Sequence, residues 1–264
     1  MRVLLCGYHE AGCRALRTLV SGGHEVFVAT HTTPDGVSSV PDLARDLAVP
    51  RVDGSPRDIF KVARDFAPDI IFSVYYRAIL PRKVLELAPR GGFNFHPSLL
   101  PRHAGCFSGV WAILEGDRMT GVTCHRMVER VDSGEIVDVI TLPIEASDTG
   151  ISLYFKLVDT AHALFERVLR QADCGPLRGR PQSGERSYHG REVPFNGIID
   201  PEWPRDRIDR FIRALYFPPY EPACVEFDGR NYPVRTIEEY NRLLRECGSE
   251  RARQGEPGVP VVRR

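Results

Sequence analysis

Apolar, β-prone runs alternate with helical stretches through the first hundred residues of this 264-residue chain, and few folds accept that order. "RVLLC" at residues 2–6 leads through a glycine turn into a helical stretch and a second strand ending near Thr30. "PDIIFSVYY" and "GGFNFH" are further runs of this kind, each preceded by a helical stretch, at residues 56–66 and 81–87. A parallel connection needs a crossover long enough to hold a helix, and strands apolar on both faces need cover on both. The fold class is therefore α/β: a Rossmann-like, mostly parallel sheet.

Beyond Trp111 the order changes. "TGVTCHRMV" and "GEIVDVITLPI" follow each other directly across "ERVDS" and read as a hairpin. Residues 149–171 then carry apolar positions at helical spacing, with Thr149 as the N-cap. We place a main domain at 1–172, a Gly, Pro and Arg-rich connector at 173–187, a small C-terminal α+β region at 188–247 and a disordered tail at 248–264. Within the C-terminal region, Asp228-Gly229 marks a hairpin turn.

Composition narrows the partners. Basic and acidic residues balance at 35 each, so neither nucleic acid nor an anionic membrane is an expected partner. No apolar run has the length of a membrane span, and the first strand begins at residue 2, where a signal peptide would need its basic and apolar regions. Seven cysteines without a C-x-x-C pair fit a reducing, cytoplasmic setting.

The glycine turn "CGYHEAG" lacks the G-x-G-x-x-G spacing that brings a backbone up to a pyrophosphate, and a tight βα turn is the simpler reading. No P-loop is present. His9-Glu10 lacks the second histidine of H-E-x-x-H, so no metal is expected.

"FNFHP" is more informative. Side chains alternate along a strand, so Asn94 and His96 share one face while Phe93 and Phe95 pack on the other, and Pro97 ends the ladder. Polar groups on a buried parallel strand belong at its carboxyl end, where the ligand crevice lies. A polar strand end bonded to loop backbone would give the same pattern. Asp132, in the turn of the expected hairpin, could likewise be a local backbone acceptor. Together the three make a set suited to oxyanion stabilisation and proton movement, with the carboxylate raising the imidazole pKa.

"FNFHPSLLPRHAG" followed by "WAILEGDRMTGVTCHRMVERVDSGEIV" resembles the core signature of the formyltransferases that use 10-formyltetrahydrofolate, over residues 1–172. The resemblance implies that Asn94, His96 and Asp132 are catalytic, with Asn94 and protonated His96 donating to the tetrahedral oxyanion. It implies that the pterin lies near Arg77, Ile79 and Val131. "YHEAGCRAL", "FSVYYRAILP" and the C-terminal segment are similar to the sugar N-formyltransferases, notably those acting on UDP-4-amino-4-deoxy-L-arabinose and on dTDP-amino sugars. The resemblance thus implies a nucleotide-linked amino sugar as acceptor, Tyr216, Phe217 and Tyr220 as its contacts, and a homodimer. Ala104 stands where many relatives have arginine, which leaves the acceptor open. Methionyl-tRNA, a small free amine, or a silent folate-binding role are the alternatives.

Overall fold

Val3, Leu4, Leu5 and Cys6 have no exposed surface on either face, which places their strand at the centre of a sheet covered on both sides. The computed structural model describes residues 1–34, 36–53 and 56–254, except the side chains of 56 and 247–254. The strands in chain order are β1 (Arg2–Gly7), β2 (Glu25–Thr30), β3 (Arg51–Asp53), β4 (Ile70–Val74), β5 (Gly92–His96), β6 (Ala104–Gly105), β7 (Met119–Arg126), β8 (Ile136–Pro143), β9 (Tyr188–His189), β10 (Cys224–Phe227) and β11 (Arg230–Pro233). The helices are α1 (His9–Ser21), α2 (Val40–Asp46), α3 (Pro56–Phe66), α4 (Arg82–Leu85), α5 (Ser108–Glu115), α6 (Gly150–Cys174), α7 (Arg205–Leu215) and α8 (Ile237–Gln254).

Contacts divide the chain into two units, the first comprising residues 1–106, 120–142 and 156–189. It is built on a seven-stranded sheet in the order β3-β2-β1-β4-β5-β7-β8. Strands β1 to β5 pair in parallel and β7 runs antiparallel to β5, as the change of pattern after Trp111 requires. The order reverses between β1 and β4, so the chain leaves their carboxyl ends in opposite directions and opens a crevice there. Phe93 and Phe95 face away from it, into an aromatic cluster with Phe72 and Phe165, whose ring centroids lie 5.2 to 6.3 Å apart. Gly12 sets the entry of α1: a Cβ there would come within 2.8 Å of the Gly7 backbone, so the glycine serves close helix–strand packing.

The second unit comprises 107–119, 143–155 and the chain from Gly190 onward. Here α5 packs on α7, and Arg210 donates to the Leu114 carbonyl (3.1 Å). Thr149 and Ser152 cap the start of α6 reciprocally, each hydroxyl accepting from the other's N–H at 3.3 and 3.0 Å. Asp228 and Gly229 both have positive φ, the conformation that a two-residue hairpin turn between β10 and β11 demands.

Several expectations change. The helix expected over 81–87 is confined to Arg82–Leu85, and the strand expected through Tyr76 ends at Val74, because Tyr75 takes a left-handed conformation (φ 56°). The tail expected from 248 is helical through Gln254: Glu250, Arg251, Ala252, Arg253 and Gln254 are good helix formers and extend α8 past Gly248. Residues 255–264 of that tail lie outside the described residues. The connector also differs. Ile136 and Arg180 exchange backbone hydrogen bonds, and the Ala104 N–H donates to the Ser187 carbonyl, so its second half folds back into the first unit. No helix among the described residues is long and apolar enough to cross a membrane.

Candidate active site

Strand β5 carries Asn94 and His96 to the carboxyl end of the sheet, and the turn between β7 and β8 brings Asp132 to them. His96 Nδ1 lies 3.4 Å from Asp132 Oδ2, and Asn94 Nδ2 donates to Asp132 Oδ1 at 3.5 Å. His96 and Asp132 are buried and Asn94 is half-buried. The other ring nitrogen of His96, Nε2, donates to the His103 carbonyl at 2.8 Å. Asp132 sits in a left-handed conformation (φ 50°) that aspartate tolerates, with Oδ2 accepting from the Gly105 N–H at 2.8 Å.

A fourth side chain, His125, belongs to this cluster. It stands directly opposite Asn94 in the antiparallel β5–β7 pair, so both side chains point to one face. Its Nδ1 donates to the Arg126 carbonyl (3.0 Å), and its Nε2 lies 3.2 Å from Asn94 Nδ2 and 3.3 Å from Asp132 Oδ1. Sequence reasoning missed it. The alternation of Thr123 and His125 with Val122 and Cys124 shows only that the two polar side chains share a face; that the face is the one Asn94 uses follows from the β5–β7 register.

Electrostatics assign the protons. Burial would push the Asp132 carboxyl up, but in the acid range where a carboxyl takes up its proton the positive charge of His96, the hydrogen bond and charge of His125 and the Gly105 N–H together hold it well below the usual carboxylate range. Asp132 is therefore ionised. Burial also dominates at His96 and lowers its pKa, against the opposing charge of Asp132 and the His103 carbonyl. This corrects the expectation of a raised, protonated imidazole: the carboxylate pulls in the expected direction, and desolvation outweighs it. His96 is neutral at pH 7, with its proton on Nε2 and its Nδ1 lone pair beside a carboxylate.

A second polar group lies at the switch point between β1 and β4. Tyr8 stacks on His9 and His31 on Tyr76, with ring centroids 3.8 and 4.4 Å apart, and the Arg77 guanidinium lies 5.5 Å from the Tyr8 ring centroid. Burial, then the charge of Arg77, lowers the pKa of both histidines. Among the described residues, His9 Nε2, His31 Nε2 and the Tyr76 hydroxyl are buried without a hydrogen-bond partner. Such atoms each cost about 1 to 3 kcal/mol unless something pairs with them. The N-terminus of α1 opens here with no side-chain cap. The sequence reading treated this turn as packing alone.

The remaining expected residues scatter. Arg77 and Ile79 are exposed on the loop after β4, Ile79 by 62%. Val131 is half-buried, and its carbonyl accepts from Arg186 Nη2 at 2.9 Å. Tyr216, Phe217 and Tyr220 fall in the second unit. There the rings of Phe217 and Tyr220 meet edge to face at 5.7 Å, and the Tyr216 carbonyl accepts from the Ile151 N–H at 3.1 Å.

An amide and a neutral imidazole at a strand's carboxyl end, with an ionised carboxylate from the β7–β8 turn beside them, are a set suited to group transfer through a tetrahedral intermediate. The formyl transferase family model matches residues 25–169. GDP-perosamine N-formyltransferase of Brucella melitensis is 38% identical over 250 residues, covering 92% of this chain and 96% of that protein. Among solved structures, a 4-N formyltransferase from Francisella tularensis superposes with a TM-score of 0.75 at 17% identity, over 88% of this chain and 96% of that one. An N-formyltransferase from Helicobacter canadensis, in complex with folinic acid and dTDP-3-aminofucose, superposes with a TM-score of 0.72 at 20% identity, over 89% and 86% of the two chains. The chain belongs to the formyl transferase family and is a formyltransferase.

Proposed function

We propose that this formyltransferase moves the formyl group of 10-formyltetrahydrofolate to the primary amine of a GDP-linked amino sugar. The observation that carries the acceptor is the 38% identity with GDP-perosamine N-formyltransferase over nearly the whole of both chains. The unpaired polar atoms of His9, His31 and Tyr76, with Arg77 beside them, support a phosphate-bearing ligand at the crevice, since each of these side chains offers a donor. The pterin is assigned to the loop that carries Arg77 and Ile79 and to the backbone near Val131. Tyr216, Phe217 and Tyr220 are assigned to the acceptor. A homodimer in the cytoplasm remains part of this proposal.

The neutral amine attacks the formyl carbon, forming a C–N bond while the carbonyl electrons move to oxygen. Asn94 donates to that oxyanion. The amine proton passes to the Asp132–His96 pair, so the imidazole becomes an imidazolium flanked by two acceptors, the Asp132 carboxylate and the His103 carbonyl. Burial keeps the ring neutral beforehand, so this stabilisation is available only as charge develops. Collapse breaks the bond to N10 of the folate, and the proton leaves with tetrahydrofolate.

The acceptor is tested by mixing the enzyme and 10-formyltetrahydrofolate with equal amounts of GDP-perosamine, dTDP-3-aminofucose and initiator methionyl-tRNA. Mass spectrometry is expected to find the formyl group on GDP-perosamine. Formylation of the tRNA alone, or of the dTDP sugar alone, would overturn the assignment.

A further inference from the structure

The segment expected to be a connector does more than join two parts of the chain. Gln182 Nε2 donates to the carbonyls of Asp132 (2.9 Å) and Gly134 (2.8 Å), and Arg186 donates to the carbonyls of Val131 (2.9 Å) and Asp132 (3.3 Å). The left-handed peptide that aims the Asp132 carboxylate is thus held from its carbonyl side by two side chains of this segment. Four residues after Gln182 comes Arg186, and the next residues hold the other half of the site. The Ser187 hydroxyl accepts from the His103 N–H (2.8 Å), and the Ser187 carbonyl accepts from the Ala104 N–H (3.1 Å). His189 Nε2 lies 3.1 Å from His103 Nδ1, with the two rings stacked at 5.3 Å, and the His189 carbonyl accepts from the Cys106 N–H (3.0 Å).

The loop so gripped supplies both backbone contacts to the catalytic groups. The His103 carbonyl accepts from His96 Nε2, and the Gly105 N–H donates to Asp132 Oδ2. Gly105 lies so close to the segment that a Cβ there would run into the His189 carbonyl oxygen, which ties the position of its N–H to β9. The hydrogen bonds among these contacts are directional, so the segment can fix orientation.

We propose that residues 182–189 form a positioning clamp for formyl transfer, in which Gln182 and Arg186 set the Asp132 turn, and His189 sets the loop that fixes His96. This inference rests on the reading of Asn94, His96 and Asp132 as the reacting groups. The clamp acts on the trio through the carbonyls of the Asp132 turn and through the 103–106 loop, that is, through geometry; small misplacements at a reacting centre cost up to about a hundredfold in rate.

The test compares Gln182→Ala, His189→Ala and His189→Gln with wild type in steady-state formyl transfer, with melting temperatures alongside and Asp132→Asn as control. Gln182→Ala and His189→Ala are each expected to lower kcat about tenfold or more, with both KM values within about twofold of wild type. His189→Gln is expected to restore most of kcat, because an amide can meet His103 Nδ1 where the ring nitrogen does. Unchanged kcat in both alanine variants would overturn the clamp, as would a rise in KM without loss of kcat. A kcat loss that only follows a fall in melting temperature, without rescue by glutamine, would reduce the segment to scaffolding. If Asp132→Asn keeps its turnover, the reading of the site fails; if it is inactive while the clamp variants are normal, only the clamp fails.

Discussion

Asn94→Ala is expected to lower kcat by about two to three orders of magnitude, since one preorganised oxyanion donor is typically worth about 2.7 to 4 kcal/mol. The amide is held ready by its neighbours: His125 Nε2 and Asp132 Oδ1 lie 3.2 and 3.5 Å from Asn94 Nδ2. It bonds the oxygen strongly only when that oxygen carries charge, so the loss falls on kcat while KM for either substrate changes little. Aspartate at the same position is a sharper version. It would keep the shape but set a second carboxylate beside Asp132, and activity should fall further still. Steady-state formyl transfer with thermal melting checks both, and an Asn94→Ala enzyme within about tenfold of wild-type kcat at unchanged stability would remove Asn94 from the mechanism.

Asp132→Asn is expected to be at least as severe, with kcat falling by about 10²- to 10⁴-fold, the range of general acid–base contributions. Asparagine accepts the left-handed backbone of residue 132 and offers an oxygen to the Gly105 N–H, so the variant should fold. It removes the charge that stabilises the His96 imidazolium. The pH dependence follows with a definite sign. Burial lowers the His96 pKa and Asp132 opposes that effect, so the acid limb of kcat/KM should lie below the ordinary histidine value in the wild type and move lower in Asp132→Asn. An acid limb that rises in the variant would contradict the assignment.

Stability carries its own signature. The folded-state pKa of Asp132 is depressed, so its contribution is present above the unfolded carboxylate value and lost as pH falls through the folded one. The stability gap between wild type and Asp132→Asn should therefore be full at neutral pH and shrink in acid. Urea unfolding at a series of pH values measures it directly.

The sheet was legible because its signal is local. Buried strands such as "RVLLC" and crossover helices announce themselves by apolar runs and spacing, and Phe93 and Phe95 alternate with Asn94 and His96 as a strand requires. Asp132 could be singled out only through the family signature, since an aspartate in a turn has an ordinary local use. His125 needed the β5–β7 register, a pairing across 31 residues that no local pattern prints. The connector was misjudged for a related reason: its Gly, Pro and polar residues look like a linker, and its hydrogen bonds to the Asp132 turn exist only in three dimensions. The direction of the His96 shift was also hidden, because a sequence shows which charges are near a histidine and does not show how dry the site is.

The most direct measurement is the stoichiometry of the reaction with purified enzyme, 10-formyltetrahydrofolate and GDP-perosamine, following tetrahydrofolate release and formamide formation on the sugar together. Transfer predicts that the two appear in equal amounts and that neither appears when the amino sugar is left out. Tetrahydrofolate released without formylation of the sugar, or no release at all with the acceptor present, would contradict it.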